Sequence, residues 1–236
     1  VAARWSAAPG SSPLPAAKDN TSLAVAKRVF AGAATPSDPS LTVAMRDLWL
    51  AKDDLSAGER REARSLLARP TDGAEDPQGF GYTTPEAAPV CNTRICLHYV
   101  ATTVDAPPSI DWVNQSLATM DSVWTSEVDS LGYQAPPTDG VRGGSALFDV
   151  YLKDLGGQIY GYCAPEGAGA GRKAAGFCVL DNDFSASQFP LNDPTSNLTV
   201  TAAHEFFHAI QFGYDSREDG WMMESTATWM EERVAT

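Results

Sequence analysis

Residues 201–211 read Thr-Ala-Ala-His-Glu-Phe-Phe-His-Ala-Ile-Gln, and no other stretch restricts the fold of this chain so tightly. Ala202, Ala203, Phe206, Phe207, Ala209 and Ile210 are apolar on every side of a helix, which predicts a buried one. Yet His204 and His208 lie within it, two of only three histidines in 236 residues. Buried imidazoles need partners. Residues four apart stack on one helical face, so both rings aim at a single point where a divalent metal can sit. Zinc prefers nitrogen donors and a tetrahedral shell. Glu205 is placed to act on a metal-held water, whose pKa falls from about 15.7 to about 7 on zinc. HExxH on a helix is therefore a signature of metal-assisted hydrolysis, with Glu205 as general base. The bland alternative is a chance match on a helix with two solvated histidines. The scarcity of histidine and the apolar surroundings weigh against it.

A third protein ligand has to come from elsewhere. His98 is distant in sequence, and positions 211 and 214 hold Gln and Tyr, so the longer HExxHxxGxxH pattern fails. The last helix, Trp221-Met-Met-Glu-Ser-Thr-Ala-Thr-Trp-Met-Glu-Glu, is rich in glutamate. Glu224 and Glu231 share a face but lie two turns, about 10.5 Å, apart, so one ion takes only one of them. Glu224, in the first turn and beside the small Ser225 and Ala227, is the expected ligand. Glu231 and Glu232 read as a solvated helix end.

Composition removes several classes of partner. Thirty acids against 17 bases give a net charge of −13. That excludes the basic face a nucleic-acid partner needs. No run of about 18 apolar residues is present, so no membrane span is expected. The chain starts at Val1 rather than Met, which reads as a processed or trimmed start. Four cysteines, Cys91, Cys96, Cys163 and Cys178, contain no CxxC. Two local disulfides are expected: Cys91–Cys96 closing a small loop, and Cys163–Cys178 across two strands joined by the turn GAGAG (167–171). Two other readings stay open, four buried thiols or one thiolate plugging the metal. Disulfides imply export to an oxidising compartment.

Three regions follow from patterning. Residues 1–20, rich in Ala, Pro and Ser, read as a flexible lead. Residues 21–90 hold three short helices, SLAVAKRVF, LTVAMRDLWL and, after the capping box Ser56–Glu59, ERREARSLLAR, and then a linker. They form either a pro-segment or a helical subdomain packed permanently on the body. Residues 91–236 are the body. There, ICLHYVAT, ALFDVYL, QIYGYC and AGFCVLD read as strands. Ile110, Val113, Leu117, Met120, Trp124, Val128 and Leu131 mark one amphipathic helix stopped by Gly132. Two helices close the chain, giving an α+β class. In the loop before the motif helix, Asp181, Asp183 and Asp193 offer calcium-type oxygens, but without EF-hand spacing a turn-rich loop is favoured. Asp215, Glu218 and Asp219 form a turn, one of them a candidate to orient a ligand histidine.

HEFFH followed by WMMESTATWMEE resembles the gluzincin zinc peptidases. The stretches CLHYV, FDVYL, IYGYC, LDND and TAAHEFFHAIQFGYD also resemble a family of secreted bacterial zincin-like metalloproteases. The resemblance covers roughly residues 91–232. It implies a zincin-like catalytic subdomain, a twisted mixed sheet packed on helices, preceded by a small helical pro-segment. It also implies Zn2+ held by His204, His208 and Glu224, Glu205 as base, and a peptide or protein substrate. It implies that AGFCVLD pairs with extended substrate, and that a C-terminal subdomain belongs beyond Thr236. That subdomain often supplies an oxyanion donor; within this chain Tyr214, Tyr160 and Tyr162 are candidates. Two rival functions are a zincin-like binding or surface module without catalysis, and a latent precursor whose N-terminal helices cover the cleft.

Overall fold

The computed structural model describes residues 21–235, so the expected flexible lead lies outside the described residues. The three N-terminal helices are α1 (Ser22–Phe30), α2 (Leu41–Ala51) and α3 (Ala57–Leu67). Each begins on a hydroxyl cap: Thr21, Ser40 and Ser56 accept from the backbone N–H three residues on, and Ser56 with Glu59 completes the predicted capping box. The strands are β1 (Val90–Cys91), β2 (Ile95–His98), β3 (Phe148–Lys153), β4 (Gly161–Ala170) and β5 (Lys173–Asp181). The remaining helices are α4 (Ile110–Trp124), α5 (Pro194–Asp215) and α6 (Gly220–Val234).

The five strands form one mixed sheet in the order β1-β2-β3-β5-β4. The β2–β3 and β3–β5 pairs are parallel; β1–β2 and β4–β5 are antiparallel. Period-2 alternation sends successive side chains to opposite faces. Tyr151, Tyr162, Phe177 and Val179 face α1, α2 and α3, where Leu23, Val29, Met45, Leu48 and Leu66 bury them. Val150, Leu152, Cys163, Cys178 and Leu180 face the other layer, built with Val113, Met120, Phe206, Ile210 and Met223. The molecule is thus a mixed α+β fold with a helical layer on each side of the sheet.

Three expectations need correction. The strand read over 95–102 is regular only through His98, beyond which Val100 makes a single antiparallel bridge to Glu86, and β1, at the junction of the expected linker and body, pairs with it. Placing substrate on AGFCVLD fails because β5 is interior, bonded to β3 on one side and β4 on the other; the edges are β1 and β4. The long amphipathic helix runs into a π-helical segment over Thr125–Ser130. The wider π turn shifts the face that follows it, so Leu131, expected inside, is 38 % exposed, while Glu127, still in helical step with Met120 and Val123, is fully buried. Gly132, with φ of 81°, ends the segment as expected. Both expected disulfides are present, Cys91–Cys96 and Cys163–Cys178. No helix among the described residues is long and apolar enough to cross a membrane.

Candidate metal centre

Helix α5 starts at a strong signal: Asp193 accepts from Ser196 N at 3.0 Å, and Pro194 takes the first helical position. Its apolar side chains bury it against β5 and α4, which presents His204 and His208 to α6. The approach to the sheet is close. A Cβ at Gly161 of β4 would lie 2.8 Å from Thr201 Cγ2 and 3.1 Å from Glu205 Cγ, so only glycine lets the strand sit against the motif helix. The turn from α5 to α6 is short, and Ala227, Met223 and Met230 bury α6 against α5. Arg46 of α2 donates to the carbonyls of Ser216 and Glu218 in that turn, at 3.3 and 2.5 Å.

This packing brings three predicted ligands together. The Nε2 atoms of His204 and His208 are 3.1 Å apart. Glu224 Oε2 lies 3.5 Å from His204 Nε2, and Glu224 Oε1 lies 3.4 Å from His208 Nε2. A tetrahedral ion with bonds of about 2.0–2.1 Å holds its donors about 3.3 Å apart. The triangle of residues approaches that size, Glu224 meeting each imidazole through a different oxygen, so the three could hold one small divalent ion. Glu205, 7 % exposed, is not one of the converging donors. Its Oε2 accepts from Thr42 Oγ1 at 2.7 Å.

Each imidazole is held on its far nitrogen. His204 Nδ1 lies 2.6 Å from Glu231 Oε1. His208 Nδ1 lies 2.7 Å from Gln211 Oε1, while Gln211 Nε2 donates to Met223 O at 3.0 Å and Thr226 Oγ1 at 2.8 Å. That amide orientation makes Nδ1 of His208 the donor and leaves its Nε2 lone pair facing the triangle. Glu231, read as a solvated helix end, is therefore a partner of His204. Its spacing of seven from Glu224 was the signal available. The turn acids do not orient a histidine: Asp215 pairs with Arg172 at 2.5 Å, and Glu218 accepts from Asp219 N.

The electrostatics suit a cation. Burial alone would lower the pKa of His204, but hydrogen bonds to Glu224 and Glu231 hold it up to about 10. Burial would raise Glu224, but His204, His208 and Ser40 hold it well below the usual carboxylate range. In the metal-free chain a proton on His204 thus takes the place of an ion. Nearby, Glu127 has neither oxygen hydrogen-bonded, and burial pushes it up to about 9 against the pull of His204.

A groove of about 510 Å³ opens onto the centre, lined by His204, Glu205 and Glu231 with Ser40, Tyr160 and Thr201. Of the tyrosine candidates, Tyr160 lines it, Tyr162 is buried beneath the N-terminal helices, and Tyr214 accepts from Gln134 N away from it. A larger cavity, about 590 Å³, lies by α3 around Arg60, Arg61 and Arg64, where no ligand set converges. Cys96, His98 and Asp149 are close together too. There, Cys96 is in a disulfide, and His98 and Asp149 bond each other at 3.0 Å. The calcium reading gains nothing: Asp181 accepts from backbone N–H groups of Leu155, Asp183 and Phe184, and Asp193 caps α5. No family model, no curated protein and no solved structure matches the chain, so any functional reading rests on the geometry of this site.

Proposed function

We propose that the chain is a zinc-dependent peptidase that cleaves peptide bonds with Glu205 as general base and with His204, His208 and Glu224 as ligands. The observation that carries this reading is the convergence of the two Nε2 atoms, 3.1 Å apart, on the Glu224 carboxylate, whose Oε1 and Oε2 lie 3.4 and 3.5 Å from them, with the neighbouring Glu205 carboxylate left out. Zinc bound there lowers the pKa of its water and polarises a carbonyl. Glu205 then takes a proton from the attacking water and delivers it to the leaving nitrogen. Glu231 and Gln211 each hold an imidazole by Nδ1, which turns both Nε2 atoms toward Glu224, and the groove opens beside them. A purely structural ion has no need of a base beside it, which favours catalysis over a binding module. The two disulfides fit an exported protein.

The test is zinc stoichiometry together with hydrolysis of labelled casein. One zinc per chain is expected. Glu205→Gln should retain the metal and lose hydrolysis by about 100-fold or more, whereas Glu224→Ala should lose the metal. Undiminished hydrolysis by Glu205→Gln would overturn the reading.

A further inference from the structure

The hydroxyls of Ser40 and Thr42, on the first turn of α2, reach both carboxylates of the centre, although 184 and 163 residues separate them from their partners. Thr42 is 1 % exposed and sits between the edge strand and the motif helix. Its Oγ1 accepts from Cys163 N at 2.9 Å and donates to Glu205 Oε2 at 2.7 Å. A hydroxyl carries one proton; with the amide directed at its lone pair, that proton is directed at the carboxylate. Only one oxygen of Glu205 is engaged in this way, and the other is left for the proton of the attacking water. Ser40 Oγ donates to Glu224 Oε1 at 2.6 Å and accepts from Val43 N at 3.2 Å, which links the ligand carboxylate to the helix cap.

We propose that this turn is part of the active site, with Thr42 the positioning residue of Glu205 and Ser40 that of Glu224; the proposal rests on the peptidase reading above. The anchoring of α2 favours a built-in component over a detachable cover. Leu41, Met45 and Leu48 pack on the sheet, Val43 and Trp49 join the opposite core, and Arg46 holds the turn between α5 and α6. Lifting α2 away would open both cores.

The full chain, zinc-loaded, is assayed on labelled casein at saturating and sub-saturating concentrations. Zinc affinity is read separately by competition with a chromophoric chelator. Thr42→Val should lower saturated turnover about tenfold or more, with KM and zinc affinity within about twofold, and Thr42→Ser should restore turnover. Thr42→Ala serves if valine unfolds the chain. Ser40→Gly, a residue that still caps helices well, should weaken zinc about tenfold or more. Faster turnover in Thr42→Val would mean that the hydroxyl masks the base and α2 is a cover. Unchanged turnover would make Thr42 a bystander, and unchanged zinc affinity in Ser40→Gly would do the same for Ser40. Each of these overturns the proposal. Failure of the peptidase reading is distinguishable, since the wild type would then bind no zinc, cleave no casein, or lose nothing on Glu205→Gln.

Discussion

At the scale of single residues, the centre is defined by where protons sit. In the metal-free chain His204 titrates near pH 10, far above an ordinary imidazole. Its charged form therefore contributes stability that is complete below about pH 6.5 and lost as pH rises through about 10. On the proposed function, zinc would displace that proton. Zinc binding at pH 7.5 should release about one proton from this group, and affinity should climb about tenfold per pH unit between pH 7 and 8.5. Calorimetry in buffers of different ionisation enthalpy checks both. Glu127 gives the opposite case. It titrates near 9 in the folded chain and near 4.5 when unfolded. Its stability contribution is thus complete below about pH 4.5 and lost as pH rises toward 9, because only the unfolded chain ionises. Glu127→Gln should stabilise the protein by up to about 5 kcal/mol at pH 8 and by almost nothing at pH 4, as read from urea unfolding. His204, Glu205 and His208 were all legible from spacing and surroundings. Glu127 was not: it keeps the helical step of Val113, Met120 and Val123, but a carboxylate at such a position does not read as core.

At the scale of elements, local signals carried far. The capping box at Ser56–Glu59 and Gly132 marked helix ends that the structure retains. The disulfide partners were readable because each pair is close in sequence, at separations of 5 and 15. Strand order was not readable, because hydrogen-bonding partners come from distant segments and β4 and β5 present similar alternation. That order makes β4 the edge strand beside the site. Gly161 is where β4 meets α5, so Gly161→Ala should force the strand and helix apart. The expected cost is about 1–3 kcal/mol in stability. Turnover should fall as well, because the displaced atoms include Glu205 Cγ at 3.1 Å. Thermal unfolding and casein hydrolysis measure the two effects.

At the scale of the whole molecule, the N-terminal helices are joined to the body by a buried ionic cluster. Arg69, just after α3, is 1 % exposed. It donates to both oxygens of Glu166, at 3.0 and 2.5 Å, to Tyr151 OH at 3.1 Å, and to Asp149 and Asp139. Removing it strands three carboxylates in a dry environment. Arg69→Met should destabilise the chain by about 3–5 kcal/mol in urea unfolding. By itself the amino-acid order marked the helices and the centres of most strands, offered two local disulfides as one reading of the cysteines, and set two imidazoles on one helical face beside a carboxylate. All of these depend on periodicities and spacings a few residues long. Only the tertiary structure decided that Glu224 faces the imidazoles while Glu231 backs His204, that β4 lies at the edge, and that Ser40 and Thr42 reach the centre. Those are distances between residues far apart along the chain, set by how the layers pack, and no local pattern encodes them.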